Sequence, residues 1–545
     1  MKKILLISVI FILGFNIVVS QTWKTYPYHK QGSLIYFPQD EGWHSSEPTE
    51  WWYTVAHITG DSTGNEYTYM LTYFYYPYYG FDGFRIFNLS NETNHVFYDE
   101  TLPCDYPVLS QDSLNIQAQP YGSNQEIWTN LTDSSGKALA FQYHINATHE
   151  HGFIDVEYDA FKPPLLLADS GYLYEGAGDY TYYYSQTGIN VTGTISIDSI
   201  TESVSGIAWI DHQYGEFNPN SGEQYEWFSI QLSNGMDFNV WNIFNTNNQI
   251  PNTCTYRICC IYYNDTTDTT VSDFTIERLK YAYMPDMLRC YSQKWHLIWN
   301  DIDLIITTSN SENEVQMPFR FYEGSTEITG TVSGQNVTGL GFAELLHSYE
   351  KPQLQFTNPD TFSVWTSFLP VTWTILNPDQ GNPLHYALSY STDGGDSFNP
   401  IIDNITDTAY NWDFSGLADS IYCILKITGY SIDSIITGTS LSDTVLIINT
   451  GIEHYFKNES IYIYPNPTTG IFTIKGNNNL SGNRRIQSIE ITNVYGQIIY
   501  VKNPQGFQNL ADLVQIDLSE QPKGIYFIHI FDNNILIGSS KIIVI

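Results

Sequence analysis

Two short stretches of the sequence place acidic groups and histidines among large aromatic rings. One contains Glu50, six residues after His44, and the other contains Asp211 followed by His212. The rings that adjoin these groups are Trp51, Trp52, Tyr53, Trp209 and Tyr214. A carboxyl or imidazole group in apolar surroundings acquires a shifted pKa and can act as a general acid, and aromatic faces stabilise a nearby cation. The pattern predicts proton-transfer chemistry on an apolar compound, with Asp211, His212 and Glu50 as candidate catalytic residues. His44 is a candidate to assist Glu50.

Aromatic residues are the candidate ligand-binding groups, because ring faces suit an apolar chain, a polyene or the face of a sugar. The candidates are Trp51, Trp52, Tyr53, Trp209, Tyr214, Trp227 and Trp241. Core packing is the alternative for these rings, since alternate residues of a strand face opposite sides. On that alternative Glu50 satisfies buried backbone or tyrosine groups, and Asp211 caps a turn.

The segments that must position these residues are strands. Short runs rich in Tyr, Thr, Val, Ile and Phe alternate with turns of Gly, Asn, Asp and Pro, a pattern typical of antiparallel sheets. Examples are EYTYMLTYFYY, TYYYSQTGINVTGTISI and EWFSIQLSNGMDFNVWNIF. Helical periodicity is scarce, so the sequence predicts an all-β protein.

The chain of 545 residues is too long for one ordinary domain. A block rich in Trp and Tyr extends to residue 350, and FKPPLLLADSG near its middle predicts two halves, residues 21–165 and 166–350. Residues 352–449 have the size and strand pattern of an immunoglobulin-like or fibronectin-like sandwich. Residues 455–545 form a last block with its own turn-rich opening and strands.

Charge and the N-terminal segment limit the partners and the location. Lys and Arg number 22 against 58 Asp and Glu, a formal net charge of −36, and such a field repels nucleic acid and anionic lipid surfaces. Residues 1–20 combine two lysines, a short apolar run and small residues before Gln21, which predicts a secretory signal. No later run approaches about 18 uninterrupted apolar residues, so we expect a protein that is not integral to a membrane.

Cysteine, histidine and acidic clusters lead us to expect no metal site and no cofactor. Four of the six cysteines lie in one region, where one disulfide can form but no C-x-x-C spacing occurs; they are Cys254, Cys259, Cys260 and Cys290. The three histidines of HINATHEHGF match no standard ligand spacing. A tight hairpin with two glycines explains the acidic turn STDGGDS.

The last block carries a series of short motifs in a fixed order. It opens with IYIYPNPTTGIFTIKG, continues with IQSIEITNVYGQIIY and QIDLSEQPKGIYFIHIFDN, and closes on SSKIIVI. Together these motifs resemble the type A C-terminal sorting domain of the Bacteroidetes type IX secretion system over residues 461–545. The resemblance implies export by the Sec signal and then by the type IX machinery. The expected location is secreted or attached to the cell surface.

The N-terminal block carries another ordered series. It comprises YFPQDEGWHSSEPTEWWYTVAHITG, YYYSQTGINVTGTI, VSGIAWIDHQYGEF, EWFSIQLSNGMDFNVWNIF, FYEG and VTGLGFAELLHSY. In this order the motifs resemble the lipocalin-like AttH/CrtC (hydroxyneurosporene synthase) family, which includes carotenoid 1,2-hydratases, over about residues 33–350. The resemblance implies two packed lipocalin-like barrels, joined near Lys162-Pro163-Pro164, and a hydrophobic, lipid-like or isoprenoid-like ligand.

The resemblance also implies which residues would act in a hydration. His212 matches the histidine of the hydratases, whereas Tyr214 stands where they have tryptophan. Their later Tyr-x-Asp pair falls near Asn239 and Trp241, with Asp237 as the nearby carboxylate. Only part of the hydratase set is therefore present.

Three hypotheses about function stay open at this point. The first is an enzyme that hydrates or hydrolyses an apolar compound. The second is a lipocalin-like protein that binds the compound without turnover. The third is a surface adhesion protein in which the immunoglobulin-like block matters most.

Overall fold

The computed structural model describes residues 22–218, 221–316, 320–366, 368–377, 381–448, 461–476, 488–502, 514–532 and 535–545. The secretory signal expected at residues 1–20 lies outside these ranges. The protein divides into two compact units, of which the second comprises Val364–Phe368, Asp413–Ile421 and Leu446–Ile545. Within the described ranges no helix is long and apolar enough to span a membrane.

The first sheet closes into a ten-stranded antiparallel barrel. Its strands and two short edge strands are β1 Thr49–Gly60, β2 Glu66–Tyr75, β3 Gly83–Asn91, β4 Val96–Leu109, β5 Asn115–Pro120, β6 Glu126–Thr132, β7 Ala138–His149, β8 Gly152–Ala160, β9 Leu165–Leu166, β10 Tyr172–Tyr174, β11 Tyr180–Ile197 and β12 Ile200–Glu216. The order around the barrel is β11-β12-β1-β2-β3-β4-β5-β6-β7-β8, and β8 pairs with β11 to close it. Short 3-10 helices lie at Gln39–Glu41, Glu92–Asn94 and Gly176–Gly178.

The pairing of β11 explains why the chain does not pass from the first sheet to the second at residues 165–166. A register shift between Gln186 and Ile189 divides this strand. Its second half pairs with β8, while its first half pairs with the short strands β9 and β10. The segment after Pro164 therefore returns to the first sheet, whereas the sequence analysis placed a boundary at 165–166. The change of sheet falls between Glu216 and Gln224.

The second sheet is an open half-barrel of ten strands. Its strands are β13 Gln224–Leu232, β14 Asp237–Phe244, β15 Arg257–Asn264, β16 Thr267–Val271, β17 Thr275–Tyr283, β18 Cys290–Trp299, β19 Ile302–Thr308, β20 Glu314–Val315, β21 Phe321–Val332 and β22 Gln335–Leu345. The order is β16-β15-β14-β13-β22-β21-β19-β18-β17, with β20 paired to β21. The edge strands β16 and β17 do not pair with each other within the described residues.

Three clusters of buried side chains hold these sheets together. One fills the closed barrel with large rings, among them Trp52, Tyr69, Trp128, Tyr143 and Tyr158. A second lines the half-barrel. The third lies between the two sheets and is contributed by both. Side-chain alternation along β1 and β12 supplies the first and third clusters from the same strands.

The remaining strands form four smaller sheets. An immunoglobulin-like or fibronectin-like sandwich comprises β23 Leu354–Asn358, β24 Ser363–Trp365, β25 Phe368–Ile375, β26 His385–Ser391, β27 Asn399–Ile405, β28 Ala409–Asp413, β29 Ile421–Tyr430, β30 Thr437–Leu441 and β31 Val445–Ile447. The C-terminal sandwich comprises β32 Ile461–Tyr464, β33 Ile471–Gly476, β34 Ser488–Asn493, β35 Ile498–Lys502, β36 Val514–Asp517, β37 Gly524–Asp532 and β38 Ile535–Val544, in sheets of three and four strands. All-β architecture is thus confirmed.

All six cysteines are free thiols. Five of them are buried, and Cys254 is exposed. The disulfide that the sequence allowed among Cys254, Cys259, Cys260 and Cys290 does not form. Packing between strands therefore holds the half-barrel together without a covalent cross-link.

An arginine inside the closed barrel provides a test of how the barrel is stabilised. The Arg85 side chain is fully buried, bonds to Glu100 and lies with its Nε 3.5 Å from Oε1 of the equally buried Glu126. Replacing Arg85 by Met leaves Glu126 buried without its cation. We expect the free energy of unfolding to fall by about 3–5 kcal/mol, measured by calorimetry of the full chain.

The control is a substitution that removes a different cation, at the surface of the same barrel. Lys24 pairs with Asp159 at the surface, where the two side chains are 21% and 55% exposed. Lys24→Met is therefore expected to cost less than about 1 kcal/mol. Equal losses in both variants would contradict the assigned role of Arg85.

Candidate active site

The pairing of β1 with β12 places the sequence-predicted residues on two faces of one sheet. In this register Glu50 lies opposite Tyr214, Trp52 opposite His212, and Tyr53 opposite Asp211. Consecutive residues of a strand face opposite sides. Asp211 and His212 therefore point in opposite directions and contribute to two separate groups.

The first group, which we call the barrel-end cluster, comprises Asp40, His44, Glu50 and His212. It lies inside the closed barrel at the end where β1 begins. Glu50 Oε1 lies 2.9 Å from Nδ1 of His44 and 2.8 Å from Nε2 of His212. Glu50 Oε2 accepts a hydrogen bond of 2.7 Å from the backbone N–H of His44. Glu50 and His212 are fully buried, and the two side chains meet inside the barrel.

Asp40, which the sequence analysis did not single out, supports both histidines. Its backbone carbonyl lies 3.0 Å from Nδ1 of His212, and its Oδ1 lies 3.2 Å from Nε2 of His44. Stacked aromatic rings fix the orientation of both imidazoles. Tyr214 stacks on His44 with centroids 3.4 Å apart, and Trp52 stacks on His212 at 5.0 Å.

The two imidazoles differ in their affinity for protons. Burial opposes the charged form of His44, but hydrogen bonds to Asp40 and Glu50 outweigh it and raise the pKa of His44 to about 9. Burial dominates at His212 and lowers the pKa of this imidazole, although Glu50 opposes the shift.

The second group, which we call the inter-sheet cluster, lies between the barrel and the half-barrel. Its acidic members are Asp211 from β12, Glu323 from β21 and Glu344 from β22. Asp211 accepts hydrogen bonds from three donors; these are Tyr183 Oη, Ser185 Oγ at 2.6 Å and Trp209 Nε1 at 2.7 Å. Tyr53 donates to Glu323 at 2.9 Å, and Tyr225 donates to Glu344.

The strand registers arrange this cluster as two facing rows. On the barrel, Ser185 and Tyr53 flank Asp211 on neighbouring strands. On the half-barrel the row across β14, β13, β22 and β21 reads Trp241, Trp227, Glu344, Glu323. Glu323 and Glu344 are thus directly opposite each other on adjacent strands, a position in which like charges are destabilising.

Burial controls the protonation of the three acids. It raises the pKa of Asp211 to about 7, although the hydrogen bonds from Ser185, Tyr183 and Trp209 favour the charged form. Burial, reinforced by repulsion from Glu344, raises the pKa of Glu323 well above its usual range. Burial also raises the pKa of Glu344. No ion pair among the described residues includes any of the three. Protons therefore relieve the charge, and Glu323 and Glu344 share one of them in a hydrogen bond.

Aromatic rings surround these acids. Tyr53 contacts Trp227 edge to face with centroids 5.4 Å apart, and Trp209 contacts the same ring at 6.4 Å. Trp241 contacts Tyr183 at 6.2 Å. Four of the predicted ligand-binding residues, Tyr53, Trp209, Trp227 and Trp241, therefore belong to the inter-sheet cluster.

The other three predicted ligand-binding residues lie elsewhere. Trp52 and Tyr214 pack on the histidines of the barrel-end cluster. Trp51 shares the face of Tyr53 but stacks on Phe74, at the border of the apolar packing between the sheets.

A small cavity adjoins Glu323 on the side of β2 and β3. Its volume is about 10 Å³, and Asn88, Asn313 and Glu323 contribute to its lining. Neither polar atom of the Asn88 amide, nor Oδ1 of Asn313, has a hydrogen-bond partner among the described residues. Such a volume with several polar partners suits one water molecule.

Sequence reasoning missed the two glutamates that complete the acid group. FYEG and GFAELL each place one carboxylate in an otherwise apolar or small-residue strand. That signal marks Glu323 and Glu344 as acids in a strand, but only the register of β21 with β22 shows that they adjoin. Asn239 was noted, and its amide donates to Tyr183 Oη at 2.7 Å and Ser185 Oγ at 3.0 Å.

Two solved structures are similar to part of the chain. A candidate AttH from Nitrosomonas europaea is 18% identical, with 59% of this chain and 98% of that chain covered and a TM-score of 0.48. Kievitone hydratase from Nectria haematococca is 15% identical, with 59% and 98% covered and a TM-score of 0.46. No curated protein sequence matches the chain significantly.

Family models match both ends of the chain. The secretion system C-terminal sorting domain matches residues 462–545, so the chain carries a tail of the type IX system and is secreted or placed at the cell surface. The AttH-like model matches residues 28–349, more than half of the chain, and includes the barrel and the half-barrel. The chain therefore belongs to the AttH-like family.

Proposed function

We propose that the AttH-like module is a lyase of the hydratase type, which adds water to a carbon–carbon double bond of an apolar, lipid-like or isoprenoid-like compound. The observation that carries this proposal is the inter-sheet cluster. Asp211 is buried, holds its proton near neutral pH and faces a pair of acids among four large rings. Exported by the type IX system, such an enzyme acts outside the cell.

A purely structural role accounts poorly for this cluster. Burying a carboxyl group is costly unless it is neutralised or well paired, and a cross-strand pair of acids adds repulsion. Aliphatic residues would fill the same space without either cost. Groups with perturbed pKa values and unfavourable neighbours concentrate at functional sites, which supports a catalytic use of Asp211, Glu323 and Glu344.

The proposed reaction transfers two protons and forms one carbon–oxygen bond. Protonated Asp211 gives its proton to one alkene carbon as the π bond breaks, and the other carbon becomes cationic. The oxygen of a water molecule bonds to that carbon. The water then loses a proton to the Glu323–Glu344 pair, from which Asp211 is reprotonated, so that the net change is the addition of H and OH.

The rings and the small cavity supply the two other requirements. The faces of Trp209, Trp227 and Trp241 stabilise a developing cation. The cavity against Glu323 suits one water molecule, at the acid that receives the second proton. The inter-sheet space is packed with these rings, so a ligand enters as they rotate or as the two sheets part.

A test compares the full chain with Asp211→Asn in the presence of a bacterial lipid and carotenoid extract. We expect the wild type to yield a product heavier by one water, detected by mass spectrometry. The variant keeps the shape of the side chain but cannot act as the acid. Its rate should fall by about 100-fold or more, while native mass spectrometry still shows the ligand bound.

Asp155→Asn is the matched control, because Asp155 is an exposed acid that pairs with His144 on the outside of the same barrel. It should convert the extract as the wild type does. If wild type and Asp211→Asn both bind the same unchanged compound, the module is a carrier, and the hydratase proposal is wrong.

The proposal also predicts a dependence of the rate on pH. Asp211 acts in its protonated form, and its pKa is about 7. The rate should fall about tenfold per pH unit above 7, as the acid form is lost. Initial rates from pH 5 to 9 measure the profile. A rate that rises through pH 7 would contradict the role of Asp211 as the acid.

A further inference from the structure

The barrel-end cluster brings three potential metal ligands to one point, independently of the inter-sheet cluster. Nδ1 of His44, Oε1 of Glu50 and Nε2 of His212 all lie within 4.8 Å of one another. We propose that these atoms bind a divalent transition-metal ion, with Zn²⁺ as the ion that they fit best. Two imidazoles and one carboxylate are a ligand set that zinc accepts, with a fourth position left for water or another ligand.

The hydrogen bonds around the cluster hold both imidazoles ready for a metal. The Asp40 carbonyl fixes the proton of His212 on Nδ1, and the Asp40 carboxylate fixes that of His44 on Nε2. The other nitrogen of each ring faces Glu50 Oε1, where a metal ion would replace the proton that His44 donates to this carboxylate. This support of the distal ring nitrogen by a carbonyl or a carboxylate is the usual outer arrangement of metal-bound histidines.

Without a cation this arrangement is unfavourable. An imidazole whose proton is held on Nδ1 is an acceptor at Nε2. His212 Nε2 then faces a carboxylate oxygen at 2.8 Å with both groups fully buried. Two acceptors at that distance repel each other unless a proton or a metal ion lies between them. A metal ion satisfies His44, Glu50 and His212 together.

The three ligand atoms are close enough to bind one metal ion if the distances between them increase slightly. Zinc bonds of about 2.0–2.1 Å in a tetrahedral site separate neighbouring ligand atoms by about 3.3 Å. The two distances to Glu50 Oε1, 2.9 and 2.8 Å, are a few tenths of an ångström shorter. Glu50 Oε2 is held by the His44 backbone, so the carboxylate offers one oxygen, as a tetrahedral site requires.

The site is reachable from solvent on one side only. The side chain of His44 is 18% exposed, whereas those of Glu50 and His212 are fully buried. A bound ion would tie the segment around Asp40 to β1 and β12, the two strands that also present Tyr53 and Asp211 to the other face.

The experiment is a metal titration of the full chain after treatment with a chelator. Zn²⁺ content is measured by plasma mass spectrometry after gel filtration, and Co²⁺ is followed by its visible absorption. We expect one ion per chain, bound at micromolar concentration or below, with the intense absorption of tetrahedral Co²⁺. A wild-type chain that retains no metal at these concentrations would overturn the proposal and leave protons as the cations of the cluster.

Two variants and a control locate the site. His44→Ala removes a ligand at the exposed side of the cluster and should weaken binding by more than about 100-fold, while Asp40→Ala removes only outer support and should weaken it by about 10–100-fold. His296→Ala is the control, since His296 pairs with Asp303 at the surface of the half-barrel. Binding that His44→Ala leaves unchanged would also overturn the proposal.

The metal titration is independent of the proposed hydration. Asp211→Asn lies outside the cluster and should bind one ion as the wild type does. A chain that binds metal but forms no hydrated product retains the metal site and loses the hydratase proposal. A chain that forms the hydrated product but binds no metal retains the hydratase proposal and loses the metal site.

Discussion

The pairing of β1 with β12 is the constraint on which both functional clusters depend. This pair belongs to the barrel wall, and one of its faces looks into the barrel while the other looks toward the half-barrel. A shift of register by one residue would exchange the two faces. Glu50 would then leave the histidines, and Asp211 would leave the two glutamates. The buried rings Trp52 and Trp209, one on each face, oppose such a shift because each fits only its own side.

Buried acids occur throughout this module, and most of them have structural explanations. Inside the barrel, Glu41 accepts hydrogen bonds from Tyr26, Tyr143 and Asn130, and burial raises its pKa to about 7 as well. A perturbed pKa therefore does not identify a functional site here. The inter-sheet cluster differs in geometry, because its acids come from two sheets and two of them are direct cross-strand neighbours. Hydrogen bonds from tyrosines satisfy single carboxylates, but they do not remove the repulsion between a pair.

The sequence predicted the elements of the fold better than their assembly. Alternation of apolar and polar residues identifies strands, and consecutive residues such as Trp52 and Tyr53 lie on opposite faces. It does not show that β11 is divided at a register shift and returns to β8. The prolines at 163 and 164 therefore resembled a boundary between sheets, although the chain folds back onto the first one. Closure of a barrel depends on pairing between distant strands, which local patterns do not encode.

Prediction of the sites had the same limit. Adjacency in the sequence suggested that Asp211 and His212 act together, yet adjacency within a strand places two side chains on opposite faces. The partners of each residue come from elsewhere in the chain: Glu50 lies 162 residues from His212. Glu323 and Glu344 were not identified, because a lone glutamate in a strand gives no sign of what lies across from it. The sequence thus indicated the residue types of the chemistry, and strand register determined their grouping.

Placing polar clusters on both faces of one strand pair lowers the stability of the fold, and the rest of the module must offset this loss. At the level of Asp211 and His212 the barrel wall buries polar groups on both of its faces, and burying such groups is costly unless they are paired. The stabilising contacts come from the rings that fill the rest of the barrel and from the separate core of the half-barrel. Those cores surround the clusters and hold the strands in register. The large number of fully buried tyrosines follows from this arrangement, because a phenol adds apolar area and a hydrogen-bond donor to an interior that contains many carboxyl groups.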